Sequence, residues 1–145
     1  MTPRVRRAAR LVELGEKAEQ SARVRASAAE RALAEARGMA EREEHAWAKG
    51  ARAFASGVTR VAELAEQAAY LDTLRRRADA AARLVERAKA EERASHAEVV
   101  RAATERRKLE LWRDRIVDAS RAELAQTERR ASDDLAARIS IRGRA

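Results

Sequence analysis

The chain has 145 residues, of which 39% are charged and only 3% aromatic, and its formal net charge is +8. Such a composition excludes a thick globular core, because too few aromatic side chains are present to fill one. Ala, Arg, Glu and Leu dominate, and this mixture of helix-forming residues is typical of a long helix or a coiled coil.

Several classes of protein are disfavoured by what the sequence lacks. It contains no cysteine, and no apolar run approaches the roughly 20 residues that a membrane span needs. The first residues, Met1 to Arg4, carry no apolar segment of the kind found in signal peptides. We therefore expect a cytoplasmic protein without disulfide bonds.

The first helix is predicted from about residue 4 to 55. Mostly apolar or small residues recur at alternating spacings of three and four, which is the heptad pattern of a coiled coil. A parallel row, seven residues apart, predicts a wider apolar stripe and comprises Leu11, Ala18, Ala32, Met39, Ala46 and Ala53. The heptad row itself comprises Val5, Ala8, Val12, Gly15, Glu19, Ala22, Ala26, Ala29, Leu33, Ala36, Ala40, Glu43, Trp47, Gly50 and Phe54.

A turn is predicted at residues 56–59, Ser56-Gly57-Val58-Thr59. Ser56 and Thr59 belong to the residue types that favour helix N-caps, and helix-forming sequence resumes directly after them. This pattern indicates that the chain folds back on itself as a hairpin.

The second helix is predicted from about residue 60 to 140. Its apolar row thins between residues 89 and 98, where Ala is the only apolar residue type, although no Gly or Pro ends the helix there. An apparent change of phase after this point predicts a stutter or a stammer, which is a local change of supercoil rather than a break. The row comprises Val61, Leu64, Ala68, Leu71, Leu74, Ala78, Ala81, Val85 and Ala88, and then Val99, Ala102, Leu109, Trp112, Ile116 and Ala119.

The predicted fold class is therefore all-α: a two-helix antiparallel coiled coil in a single domain over residues 1–145, with the second helix longer than the first. At about 1.5 Å per residue the helices would measure roughly 78 Å and 120 Å. Folded back at Gly57, the first helix would cover the second only to about Trp112. The apolar residues beyond that point predict an overhang that docks onto a partner, self-associates or frays.

No enzymatic or cofactor chemistry is predicted. The two histidines, His45 and His96, belong to no sequence pair with metal-ligand spacing, so no metal site is expected. The sequence has no Gly-rich phosphate loop and no nucleophile elbow, and a two-helix fold offers no concave pocket for acid–base catalysis.

Several segments resemble the FliJ family of flagellar export proteins and its injectisome counterpart, the YscO-like stalks. The resemblance covers nearly the whole chain. The run Arg106-Arg107-Lys108-Leu109-Glu110-Leu111-Trp112 and the later run from Glu128 to Ala136 are similar to the end of that family. Tyr70-Leu71-Asp72-Thr73-Leu74 looks like its aromatic segment after the turn, and Trp47 like its aromatic before it. Arg129 and Asp134 stand where the family usually has Gln and Glu, which leaves the flagellar and injectisome alternatives open.

The resemblance implies a non-enzymatic stalk that bridges the hexameric export ATPase and the cytoplasmic domain of the export gate. It also implies an escort role for export chaperones and a location at the cytoplasmic face of the inner membrane. The gate would be contacted by Trp47, Tyr70 and Leu74. The ATPase would be contacted by Arg106, Arg107, Lys108, Leu109, Trp112 and Ile116.

Two alternatives follow from the charge. A basic helical rod binds nucleic acid through phosphate contacts, and the excess positive charge lies in the C-terminal half, +6 against +2. Acidic residues interrupt every basic cluster, however, and no recognition motif is present, so a nucleic-acid partner is not expected. An amphipathic helix lying on a membrane is also disfavoured, because the C-terminal apolar face is sparse.

Overall fold

The computed structural model describes residues 2–57 and 60–143. Over these residues the chain forms two α-helices, α1 from Pro3 to Gly57 and α2 from Val61 to Arg142. The all-α hairpin with a longer second helix is thus confirmed. Val58 and Thr59, in the predicted turn, lie outside the described residues.

The ends of α1 show which polar groups support it. Thr2 precedes the helix, and its Oγ1 accepts a hydrogen bond from the Val5 N–H at 3.4 Å, in the position of an N-cap. Pro3 occupies the first helical position, where its missing N–H has no cost. At the other end Ser56 belongs to the last turn of α1, and its hydroxyl donates to the carbonyl of Ala53 at 3.1 Å. Its predicted role as an N-cap was therefore wrong.

The chain divides into two compact units. Unit 1 combines residues 1–20 with 101–145, and unit 2 comprises residues 21–100. In unit 2 the helices run antiparallel, since Arg25 pairs with Glu98 and Glu44 pairs with Arg75. Unit 1 also pairs a segment of α1 with a segment of α2, and there the side chain of Arg106 meets that of Glu19.

The heptad row predicted for α1 is the row that faces α2. All fifteen of its positions, from Val5 to Phe54, are buried or half-buried. The parallel row was a wrong prediction, because Leu11 alone among its six residues is shielded and the other five are exposed. We call the shielded heptad positions of the two helices the seam. It is narrower than predicted because a single partner helix covers only one strip of α1.

The seam of α2 keeps one phase, so the predicted stutter was wrong. Shielded residues recur at alternating spacings of three and four through the thin stretch, where Glu92 and Ser95 take seam positions. Val61, Leu64 and Ala68, at the start of the helix, are exposed, as are Trp112 and Ala119. The seam residues of α2 are Gln67, Leu71, Leu74, Ala78, Ala81, Val85, Ala88, Glu92, Ser95, Val99, Ala102, Arg106, Leu109, Arg113, Ile116 and Ser120.

Small seam residues allow a close approach of the two helices in each unit. A methyl group added at Gly50 would lie 2.9 Å from Leu74 Cδ1 and 3.2 Å from Leu71 Cδ2. In unit 1, a methyl group at Gly15 would lie 3.1 Å from Leu109 Cδ1. These two glycines therefore make room for leucines of α2.

Replacing Gly38 with Ala is expected to stabilise the protein by about 1 kcal/mol, because Ala is the better helix former and the added methyl group meets only the Arg42 side chain at 3.8 Å. Gly50→Ala should gain clearly less, since the new methyl group displaces the leucines packed there. Urea unfolding followed by the helical circular dichroism signal measures both changes. Equal gains at the two positions would contradict the close approach at Gly50.

Neither described helix contains a stretch long and apolar enough to cross a membrane.

Candidate functional site

The C-terminal part of α2 extends past the start of α1. Every described residue from Arg121 to Gly143 is exposed, whereas Ile116 and Ser120 are still shielded. We call residues 121–143 the overhang. The prediction that α1 covers α2 only to about Trp112 was wrong. The register of the hairpin is shifted from one folded at Gly57, so the start of α1 lies against α2 at Ile116 to Ser120, about two turns further along.

The overhang carries large apolar side chains in solvent. Leu124 is 62% exposed, Leu135 61%, Ile139 67% and Ile141 71%. Spacings of eleven and four place Leu124, Leu135 and Ile139 on one side of the helix. Acidic and basic residues are interspersed among them, so the overhang does not carry the chain's positive charge as a block.

A shallow groove of about 400 Å³ lies where α1 begins in unit 1. Its walls come from both helices, with Pro3 and Arg4 on one side and Ile116 and Ala119 on the other. The first turn of the overhang reaches this groove, because Glu123 also lines it.

A cluster of charged side chains lies inside the seam of unit 1. Glu19 is 5% exposed, and its carboxylate accepts a hydrogen bond from Arg106 Nε, while Arg106 Nη1 donates to Glu110. The Glu19 contact, followed by the charge of Glu110, raises the pKa of Arg106. Hydrogen bonding from Arg107, and the nearby charge of Arg106, lower the pKa of Glu110. Arg106 was predicted to contact the ATPase, and its pairing with Glu19 was not predicted because the two residues are 87 positions apart in sequence.

The remaining residues predicted to contact the ATPase divide by exposure. Arg107 and Lys108 point outward with side chains 67% and 66% exposed, and they pair with Glu110 and Glu105 on their own helix. Trp112 is 42% exposed. Leu109 and Ile116 are half-buried in the seam. Among these residues, only Arg107, Lys108 and Trp112 expose a large part of the side chain to a partner.

The residues predicted to contact the gate lie together in unit 2. Trp47 is half-buried, and the guanidinium of Arg75 lies 4.8 Å from its ring centroid, a cation–π contact. Tyr70 is 61% exposed, whereas Leu74 is 5% exposed and packs in the seam. Tyr70 is therefore the accessible member of this group.

Another cluster of polar side chains lies in unit 2, and it was not predicted from the sequence. His96 Nε2 lies 2.9 Å from a carboxylate oxygen of Glu30 and 3.2 Å from one of Glu92. The spacing of Glu92 and His96 is visible in the sequence as an i,i+4 pair, but Glu30 belongs to α1. The cluster therefore becomes visible only once the register of the two helices is known.

Comparison with family models, with curated proteins and with solved structures finds no match to this chain.

Proposed function

We propose that this protein is a non-enzymatic central stalk of a type III protein export apparatus. Its overhang binds in the pore of the hexameric export ATPase, and the turn end of unit 2 contacts the cytoplasmic domain of the export gate. Export chaperones are further partners. In this role the chain is cytoplasmic and reaches the inner membrane only through the apparatus.

The observation that carries the proposal is the exposed apolar surface of the overhang. An isolated helix in water is marginally stable, and most helices in proteins are stabilised by packing an apolar face. Leu124, Leu135 and Ile139 are more than 60% exposed among the described residues, which favours a partner that packs against them. A ring-shaped ATPase with a central pore offers a surface of the right kind around a single helix.

Charge supports the same contact. Arg107 and Lys108 are exposed near the paired end of α2, and Arg129 and Arg130 follow in the overhang. Arginine side chains bind carboxylates through paired hydrogen bonds, so acidic pore loops are suitable partners. Such complementary charge speeds association and orients the helix more than it adds affinity.

The turn end supports the second contact more weakly. Tyr70 presents an aromatic ring to solvent, and residues of this type are enriched in the centres of protein interfaces. Trp47 lies nearby in unit 2 but is partly covered by Arg75. We therefore assign the gate contact to Tyr70 and the exposed edge of Trp47, and give Leu74 a packing role.

ATP hydrolysis by the export ATPase of the same organism tests the proposal. We expect saturable stimulation by the full chain and its loss with a version ending after Glu123, which keeps the paired part of unit 1. Leu135→Ser with Ile139→Ser should weaken the stimulation, because both side chains are exposed and contribute little to folding. Val61→Ser, also at an exposed apolar residue but in unit 2, is the matched control and should stimulate normally.

Absence of stimulation by the full chain would refute the stalk. If the full chain instead bound DNA or RNA with an affinity that falls steeply as salt rises, the nucleic-acid alternative would replace it. Repeating the titration with flagellar and injectisome ATPases separates the two export systems.

A further inference from the structure

Three side chains that commonly bind metals meet across the helices of unit 2. Glu30 comes from α1, Glu92 and His96 come from α2, and their ligand atoms lie within 4.8 Å of one another. We propose that they bind one divalent transition-metal ion, best fitted by Zn²⁺, which links the two helices. This inference does not depend on the proposed function.

The two distances from His96 to the carboxylates fit the geometry of zinc. With Zn–N and Zn–O bonds of about 2.0–2.2 Å, neighbouring ligands of a tetrahedral ion lie about 3.3 Å apart. His96 Nε2 is already 2.9 Å from Glu30 Oε1 and 3.2 Å from Glu92 Oε1. These two distances need to change by only a few tenths of an ångström, and the oxygens of Glu30 and Glu92, which lie within 4.8 Å of each other, can approach because the side chains of His96 and Glu30 are about half exposed. A water molecule from the open side would complete the tetrahedron.

The donor set points to the same class of ion. Imidazole together with carboxylate suits Zn²⁺ and its neighbours, whereas Ca²⁺ and Mg²⁺ prefer oxygen ligands throughout. An imidazole nitrogen carries at most one proton and so donates one full hydrogen bond, yet two carboxylates approach His96 Nε2. A shared cation satisfies all three groups at once. Metal binding would replace the imidazole proton, because histidine binds metals in its neutral form.

The position of Glu92, itself one of the three proposed ligands, indicates what a metal ion would contribute to the hairpin. Its side chain is 26% exposed and occupies a seam position, where an apolar residue would pack better. Burying a carboxylate is costly unless a charged partner or a metal ion compensates for it. Coordination would convert this unfavourable seam residue into a link between α1 and α2.

Isothermal titration of the metal-free full chain with ZnCl₂ tests the site. We expect one Zn²⁺ per chain, and at a hundredfold excess over the dissociation constant a rise in the unfolding temperature of about 5–10 °C. MgCl₂ at the same concentration should leave the unfolding temperature unchanged. No one-to-one binding of Zn²⁺, or an equal effect of Mg²⁺, would overturn the proposal.

Variants distinguish the site from general zinc binding by surface histidines. His96→Gln should abolish one-to-one binding, and the exposed His45→Gln, as matched control, should retain it. Glu30→Gln removes only the ligand from α1 and should abolish the rise in unfolding temperature, with the helical signal of each metal-free variant unchanged. Binding that survives His96→Gln, or that is lost equally in His45→Gln, would overturn the site. A temperature rise that survives Glu30→Gln would overturn the link between the helices.

Discussion

Replacing Leu74 with Ala is expected to lower the free energy of unfolding of unit 2 by about 2–3 kcal/mol. Leu74 is 5% exposed and is one of the few large side chains buried in the seam, whose other buried members are mostly alanines. Removing its side chain loses apolar burial and leaves a cavity that small neighbours cannot fill. The lower part of the usual range for Leu→Ala applies because the seam has solvent on both sides.

The two tryptophans provide a separate probe for each unit. Trp47 lies in unit 2 and Trp112 in unit 1, so Trp112→Phe leaves a fluorescence signal that reports unit 2 alone. Urea unfolding in this background should show the loss for Leu74→Ala. Leu84→Ala is the matched control in the same helix. Because Leu84 is 47% exposed, its loss should stay below about 1 kcal/mol. Similar losses for the two leucines would contradict the seam position of Leu74.

Gly50 supplies a second test of the same contact. With Leu74 in place, a methyl group at residue 50 meets Leu74 Cδ1 at 2.9 Å, but in Leu74→Ala that obstacle is gone. Gly50→Ala should therefore stabilise the Leu74→Ala protein more than it stabilises the protein with Leu74. This difference is a coupling energy of the kind expected for residues in contact. Additive effects would show that Gly50 and Leu74 do not touch.

The seam of α1 was predictable because its sequence has few competing patterns. Apolar and small residues occupy nearly every heptad position from Val5 to Phe54. The residues that pack against α2 are therefore the same residues that form the apolar pattern in the sequence. The parallel row failed because apolarity alone does not show how wide a strip the partner covers. Ala is too small and too common to distinguish a packed position from an exposed one, as Ala18 and Ala46 illustrate.

The seam of α2 was harder to predict because polar residues occupy it. The apolar row is interrupted by Glu92, Ser95, Arg106 and Arg113. Trp112 is the large apolar residue nearest to Arg113, but it is exposed and lies beside the seam. A heptad row assigned from hydrophobicity alone therefore includes the exposed Trp112 and omits the shielded Arg113. The information needed to correct it lies in the other helix, since a carboxylate at Glu19 explains why an arginine fits at position 106.

Some parts of the candidate site could be predicted from the sequence and others could not. The overhang follows from two helix lengths, and only its starting point was misplaced, by the register of the hairpin. The groups formed by Glu19 with Arg106 and by Glu30 with His96 require pairs of residues distant in sequence. No spacing rule along one helix reveals them.

Glu19→Ala is expected to destabilise unit 1 and to lower its unfolding temperature by several degrees, on the order of 5 °C. Glu19 is 5% exposed, and its loss leaves Arg106 in the seam without one of its two carboxylate partners. Removing one member of a shielded ion pair is costly because the remaining charge is poorly solvated. Thermal unfolding followed by Trp112 fluorescence in a Trp47→Phe background measures the change in unit 1.

The exposed pair of Asp118 and Arg121 is the matched control in unit 1. Both side chains are more than three-quarters exposed and their charged atoms are 4.0 Å apart, so Asp118→Ala should change stability little. An equally small effect of Glu19→Ala would show that the seam pair behaves like a surface pair.

A double variant separates stability from the choice of register. Glu19→Leu with Arg106→Leu should be at least as stable as the natural chain, since well-packed apolar residues often match or exceed a buried ion pair. The advantage of the charged pair then lies in specificity against one of the two possible slips. The seam is rich in Ala, and a slip of one heptad towards the turn would place the Glu19 carboxylate opposite Val99 instead of Arg106, whereas the opposite slip would place it opposite Arg113. If the double variant is less stable than Glu19→Ala, the pair itself stabilises the hairpin, and this assignment is wrong.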